Sequence, residues 1–289
     1  MKTRIITSAV GLCVLAIVLS LFNTIVLDLV LSVICLMAVH EAFCAFGFTG
    51  KQIYLFAPFV PFVVLIMMSH NAAARSGVLL AAFAFVLYLC ICVIWQHRTV
   101  DVGKLGGFLF LSSVVVLCFY CLIELKRMLP AEKYHNDAIF FVLLILCYAW
   151  GGDSAAYFAG RFFGKHKLAP TVSPNKTIEG AIGGVCGSVV LGVLATFIYH
   201  GILPEAVTFG GQSIGGAIYF IVAVVGVIAS VLGILGDLFA SAVKRQVGIK
   251  DYGRIFPGHG GILDRFDSVM FIAPLVTIVV QWVFYEYLV

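Results

Sequence analysis

Short polar connectors divide the chain into apolar runs of roughly 18 to 25 residues, the length a helix needs to cross the hydrocarbon core of a bilayer. The runs fall at about 5–22, 25–46, 53–69, 76–95, 105–123, 138–157, 178–200, 213–240 and 268–287. With 62% hydrophobic and 11% charged residues, the chain lacks the polar surface to clothe a soluble globule. Lipid offers the backbone no hydrogen-bond partners, which leaves helices and closed barrels as spanning structures, and the alternating pattern of a barrel is absent. The expected fold is all-α: a polytopic integral membrane protein with about nine transmembrane helices. No repeat, low-complexity tract or long linker interrupts it. It therefore reads as one continuous bundle, an N-terminal transmembrane region over 1–149 and a chemically richer region over 150–289.

Lysine and arginine fix the expected orientation, because short cytoplasmic loops carry them in excess. With the N terminus inside, fourteen of the eighteen basic residues fall in cytoplasmic segments, and Arg75, Lys126, Arg127 and Lys133 fall outside. No small-residue cleavage pattern follows the first span, so it is read as retained. The formal charge of +4 suits loops that face anionic lipid. A basic stripe interleaved with aromatics is missing, which excludes a nucleic-acid partner. The nine cysteines all lie in apolar runs and read as small packing hydrophobes. Cys118 and Cys121 have CxxC spacing, but no second pair or histidine completes a zinc site.

Ionisable residues concentrate in two polar loops of the second half. The first begins at Gly151-Gly152-Asp153, where the glycines can break or kink a helix and the aspartate sits at membrane depth, a costly place for an idle charge. Gly160 through Lys165 has one residue too few for a Walker loop, and His166 stands where Ser or Thr should meet magnesium. The segment from Ser173 to Glu179 leads into a span. Pro174 fixes a turn, Ser173 or Thr177 can cap the helix, and Lys176 would reinforce an anion site at its start. Gly180, Gly183, Gly184 and Gly187 have the spacing of tight helix contact.

The second loop, 241–267, holds five basic residues, three acids, a histidine and five glycines. If the eighth span stays helical, Gly233, Asp237, Ser241 and Lys244 form one stripe offering carboxylate, hydroxyl and ammonium in order. The ninth span opens with Asp264, Arg265, Asp267 and Ser268, and the same spacing places Asp264, Asp267 and Ser268 on one face. Hard oxygen ligands from separate elements, surrounded by bases, describe a magnesium ion shared with substrate phosphates.

The run from Ser241 through Lys244, Arg245, Lys250, Asp251 and Gly253 to Pro257-Gly258-His259-Gly260-Gly261, Asp264, Arg265 and Asp267 resembles the signature of the phosphatidate cytidylyltransferase family, the CDP-diacylglycerol synthases. Asp153-Ser154, Tyr157, Gly160-Arg161, Gly164-Lys165 and the Ser173-to-Gly180 run are similar to the family pattern as well. The one departure is Phe256, where leucine is usual. The length resembles that of bacterial members.

The resemblance implies transfer of a cytidylyl group from CTP to phosphatidate at a plasma (inner) membrane, with Mg2+ as cofactor. A second, monovalent cation and a homodimer are also in view. It places metal ligation on Asp237 and Asp264, with Asp267 a further candidate. Lys244, Arg245, Lys250 and Arg265 would hold phosphates, and Arg161, Lys165 and Lys176 would join them from the first loop. Ser173, Asn175, Ser241 and Asp153 are candidate substrate contacts, and His259 would polarise a phosphate oxygen. Two other readings stand beside this one: a CTP-dependent polyprenol kinase or ether-lipid cytidylyltransferase, and an ion-coupled transporter. The last would need matching broken spans in each half.

Overall fold

A computed structural model describes residues 11–285 apart from 12, 70–71, 203–207, 210–211, 214–215, 257 and 259. Among the described residues, seven helical segments are long and apolar enough to cross a membrane. They are Ile25–Ala45, Gly50–Met68, Ser76–Trp95, Val102–Met128, Asp137–Phe163, Ile178–Ile202 and Ala217–Gln246, and a shorter apolar helix follows at Val269–Trp282. These eight match eight of the nine expected spans. The first, 5–22, lies partly outside the described residues, although residues 13–20 are helical. The chain is an all-α polytopic membrane protein, and its large exposed side chains, such as Leu79, Phe83 and Ile94, are apolar as a lipid-facing surface requires.

We name the helices α1 (Ile25–Ala45), α2 (Phe59–Met68), α3 (Ala72–Trp95), α4 (Val102–Met128), α5 (Asp137–Leu146), α6 (Gly152–Phe163), α7 (Ile178–Ile202), α8 (Ala217–Gln246), α9 (Leu263–Phe266) and α10 (Val269–Val279). Two small antiparallel hairpins supplement them, β1 (Lys167–Ala169) with β2 (Ser173–Thr177) and β3 (Thr208–Phe209) with β4 (Gln212–Ser213). The chain divides into two compact units, one formed by residues 1–123 and 246–265, the other by 124–245 and 266–289.

In the first unit, aromatic rings fill the core. Phe108 of α4 meets Phe43, Phe48 and Phe59 at centroid distances of 5.7, 5.8 and 5.2 Å, and Phe59 meets Phe85 edge-on at 4.8 Å. Such tilted pairs suit the ring quadrupole.

In the second unit, small residues replace large ones. α6 lies against α7 so closely that a Cβ on Gly183 or Gly187 would overlap Ala159 or Ala155. This is the tight contact the glycine spacing predicts. Between α5 and α6 the helix does not break at Gly151-Gly152. It widens into a π turn over Cys147–Gly151 and continues as α6. Tyr148 in that turn is buried, donating its hydroxyl to the carbonyl of Val222 at 2.7 Å while its own carbonyl accepts from Ser188 Oγ at 3.1 Å.

Candidate active site

The second unit brings residues from four elements together. Asp153 lies in the first turn of α6, directly after the π turn, and Ser268 Oγ donates to its Oδ2 at 3.0 Å. α8 runs unbroken through its polar end, so the expected stripe exists: Ser241 donates to Asp237 one turn back, at 3.3 Å. Lys176 reaches Asp237 from β2 as an ion pair. Asp267 occupies the turn between α9 and α10, its carboxylate accepting from the N–H of Ser268 at 2.9 Å. A Cβ on Gly236 would collide with the carbonyl of Asp267, so this glycine lets α8 touch the turn.

The electrostatics of this cluster follow from its crowding. Desolvation first, and then the charges of Asp237 and Asp153, push the Asp267 carboxyl up to about 7 from an ordinary 3.8, against the opposing pull of the Ser268 N–H and Lys244. Carboxylates that raise one another in this way form a site that favours a cation. Among the described residues, no three histidine, cysteine or acidic side chains stand close enough to enclose a metal by themselves. Two neighbouring carboxylates, Asp237 and Asp267, are a donor set of the kind magnesium accepts, since that ion keeps few protein ligands and takes the rest from phosphates and water.

The first loop is tied down by contacts within the same unit. Residues 173–177 form strand β2 paired with β1, so Pro174 sits in a strand and does not fix a turn at the helix start. Thr177 is the cap, its Oγ1 accepting from the N–H of Gly180 at 3.1 Å. Glu179 clasps the preceding segment, accepting the N–H groups of Lys165 and His166 at 3.0 and 3.2 Å and meeting His166 Nδ1 at 2.6 Å. Gly160 through Phe163 are helical, which agrees with the absence of a Walker loop. Arg245 Nε donates to the carbonyl of Val172 at 3.4 Å, tying the end of α8 to the hairpin. Arg161, Lys165 and Asn175 are exposed, Arg161 touching the Tyr157 hydroxyl at 3.2 Å, and Ser173 is half-buried.

The glycine-rich segment belongs to the first unit. Asp264 Oδ2 accepts the N–H of Tyr252 at 2.8 Å and of Gly261 at 3.0 Å. Phe256 N–H donates to the Gly260 carbonyl at 2.9 Å, closing a tight turn. Gly258 and Gly260 in that turn adopt φ of 81° and 82°, left-handed backbone that side chains disfavour. Pro257 and His259 lie outside the described residues. Lys250 and Arg265 are exposed. The helix does not continue from Asp264 to Ser268: α9 ends at Phe266 and a turn separates it from α10. The common face expected for Asp264, Asp267 and Ser268 is thus interrupted, and the two aspartates have different neighbours.

One residue of this architecture has no signal in the spacing. Glu41 on α1 accepts the N–H groups of Ile262 and Leu263, both at 2.9 Å. Its signal in the sequence is an acid at membrane depth, one of two in a mainly apolar span. Ser268 links to Asp153, a contact across 115 residues that no local pattern announces.

Comparison with known proteins identifies the family. The chain matches the Cytidylyltransferase family over residues 2–283. It is similar to the phosphatidate cytidylyltransferase of Bacillus subtilis, 35% identical over 204 residues, covering 71% of this chain and 68% of the relative. The phosphatidate cytidylyltransferase of Staphylococcus saprophyticus is 34% identical over 221 residues and 75% of each chain. That of Staphylococcus haemolyticus is 44% identical over 143 residues and half of each chain. A match along nearly the whole length, together with relatives that align over two thirds or more of their own chains, places this protein in the cytidylyltransferase family.

Proposed function

We propose that the protein is a CTP:phosphatidate cytidylyltransferase, making CDP-diacylglycerol and pyrophosphate for phospholipid synthesis. The observation that carries this reading is the meeting of Asp153, Asp237 and Asp267 with Lys176 and Lys244 at the end of apolar helices, in a chain of this family. A lipid phosphate and a nucleotide triphosphate have to meet where hydrocarbon gives way to water, and the cluster lies at such a helix end.

An oxygen of the phosphatidate phosphate attacks the α-phosphorus of CTP. The new P–O bond forms as the bond from the α-phosphorus to the bridging oxygen of the β-phosphate breaks, and pyrophosphate leaves. The attacking oxygen is already anionic, so no general base is required, and positioning with charge neutralisation supplies the catalysis. Lys176 and Lys244 hold phosphate oxygens, and Arg161, Lys165, Arg245, Lys250 and Arg265 draw the two anionic substrates in. Ser241 and Ser268 keep Asp237 and Asp153 oriented. Asp237 and Asp267 are the residues proposed to hold Mg2+, and the crowded carboxylate charge at Asp267 supports a cation there; for Asp264 that role is what the family resemblance alone implies. When bound, that ion neutralises the developing charge on the phosphoryl oxygens.

The catalytic face is proposed to be the cytoplasmic side of the plasma membrane, where CTP is, in keeping with the lysine and arginine distribution. The working form is proposed to be a homodimer embedded in lipid. Purified protein in detergent supplied with CTP, phosphatidate and Mg2+ tests the reading: CDP-diacylglycerol and pyrophosphate should appear in equal amounts, and neither should form when phosphatidate is left out.

A further inference from the structure

Glu41 lies about one turn before the end of α1 and is 5% exposed. Its carboxylate captures a segment more than two hundred residues away in sequence, Oε1 accepting from Ile262 N–H and Oε2 from Leu263 N–H, both at 2.9 Å. These amides open the single turn of α9, and the first N–H groups of a helix have no partner within it. The surrounding backbone is shaped to admit the carboxylate: a Cβ on Gly253 or Gly261 would overlap it. Asp264 takes the amides of Tyr252 and Gly261 in the same segment. Four backbone amides are thus held by two carboxylates, one from inside the segment and one from α1.

We propose that Glu41 is a positioning residue for the cytidylyl transfer: it locks the backbone of Gly261 to Leu263 into the conformation that presents Asp264 and Arg265, without itself touching substrate. The kinetic part of this proposal rests on the reaction assigned above, and the structural part does not. Two N–H donors need two acceptors, which a carboxylate provides at once. Glu41→Gln keeps the shape but turns one acceptor into a donor that faces an N–H. Glu41→Asp keeps the charge and withdraws it by one methylene.

The test combines hydrogen exchange of the 261–263 amides in the full-length protein in detergent, without substrate, with steady-state kinetics. Glu41→Gln is expected to speed exchange at Ile262 and Leu263 by at least about tenfold while the rest of α1 is unaffected. It is also expected to lower kcat by at least about tenfold at saturating substrates, with KM for phosphatidate changed less than about threefold. Asp28→Asn, at another buried acid of α1, should leave both exchange at 262–263 and kcat as in the wild type. If Glu41→Gln yields no folded protein, Glu41→Asp carries the same expectations. Unchanged exchange at 262–263 overturns the clasp whatever reaction the protein performs. Faster exchange with wild-type kcat, or an equal loss in Asp28→Asn, overturns the positioning role.

Discussion

Lys176 of β2 is ion-paired with Asp237 of α8, so the hairpin that follows the first polar loop is joined to the acid that ends the apolar part of the eighth span. The pairing gives Lys176 a place beside the carboxylate proposed to bind metal, in the cluster proposed to hold the substrate phosphates. Lys176→Ala should lower kcat/KM for CTP by about 100-fold, a loss typical of removing a charge that meets the transition state. Lys176→Arg should recover part of it. Wild-type kinetics in Lys176→Ala would remove this residue from the site.

The family resemblance implies metal ligation by both Asp237 and Asp264, and their variants test it. Asp237→Asn and Asp264→Asn should each reduce turnover by at least about 1,000-fold, and the double variant should be little worse than either, because residues that act together are not additive. Turnover measured across a magnesium titration checks this. Full additivity, or recovery of either single variant at high magnesium, would separate the two residues. Stripping the metal with EDTA should abolish turnover, and Mg2+ should restore it.

The carboxyl of Asp267 supplies a pH test. Its folded-state value of about 7 lies above the ordinary 3.8, so the folded protein holds this proton where the unfolded chain has lost it. Stability contributed by that proton is present in full below about 4 and is lost as pH rises toward about 7. In EDTA, the melting temperature of the wild type should therefore fall relative to Asp267→Asn across that interval and run parallel to it above. Parallel curves from pH 4 to 8 would show that Asp267 is not held neutral.

Much of the fold is legible in sequence because lipid imposes a length and a composition on every spanning helix. The stripe Asp237–Ser241–Lys244 is legible for a similar reason: helical periodicity is local, and α8 keeps it to Gln246. The grip of Glu41 on Ile262 and Leu263 is not legible, since its partners are backbone amides far along the chain and carry no side-chain signature. The turn after Phe266 is hidden too, because nothing between Asp264 and Ser268 forbids a continuous helix. Strand pairing of Ser173–Thr177 escaped for the opposite reason: the segment reads well as a helix cap, and Thr177 is indeed the cap, while its neighbours pair with Lys167–Ala169.

Gly236 offers a test of how closely α8 must approach the turn. Gly236→Ala would press a methyl group against the Asp267 carbonyl, and overpacking of this kind costs about 1–3 kcal/mol. Turnover should fall by about tenfold or more as the carboxylates move apart, while Gly11→Ala, where the added carbon meets nothing, should be silent.

The charge distribution predicts which side of the membrane the two polar loops face. Thr171 and Asp251 are exposed, one in each polar loop, and neither has the left-handed backbone of Gly248. In a cysteine-free background, Thr171→Cys and Asp251→Cys should react with a membrane-impermeant maleimide only after the membrane is opened. Labelling in sealed cells would place the loops outside and contradict a site that draws on cytoplasmic CTP.

The central claim is tested most directly by following each phosphate of CTP. Purified protein given phosphatidate, Mg2+ and CTP labelled at either the α- or the γ-phosphate should place the α label in the lipid and the γ label in pyrophosphate. A γ label in the lipid would make the protein a kinase and contradict the account.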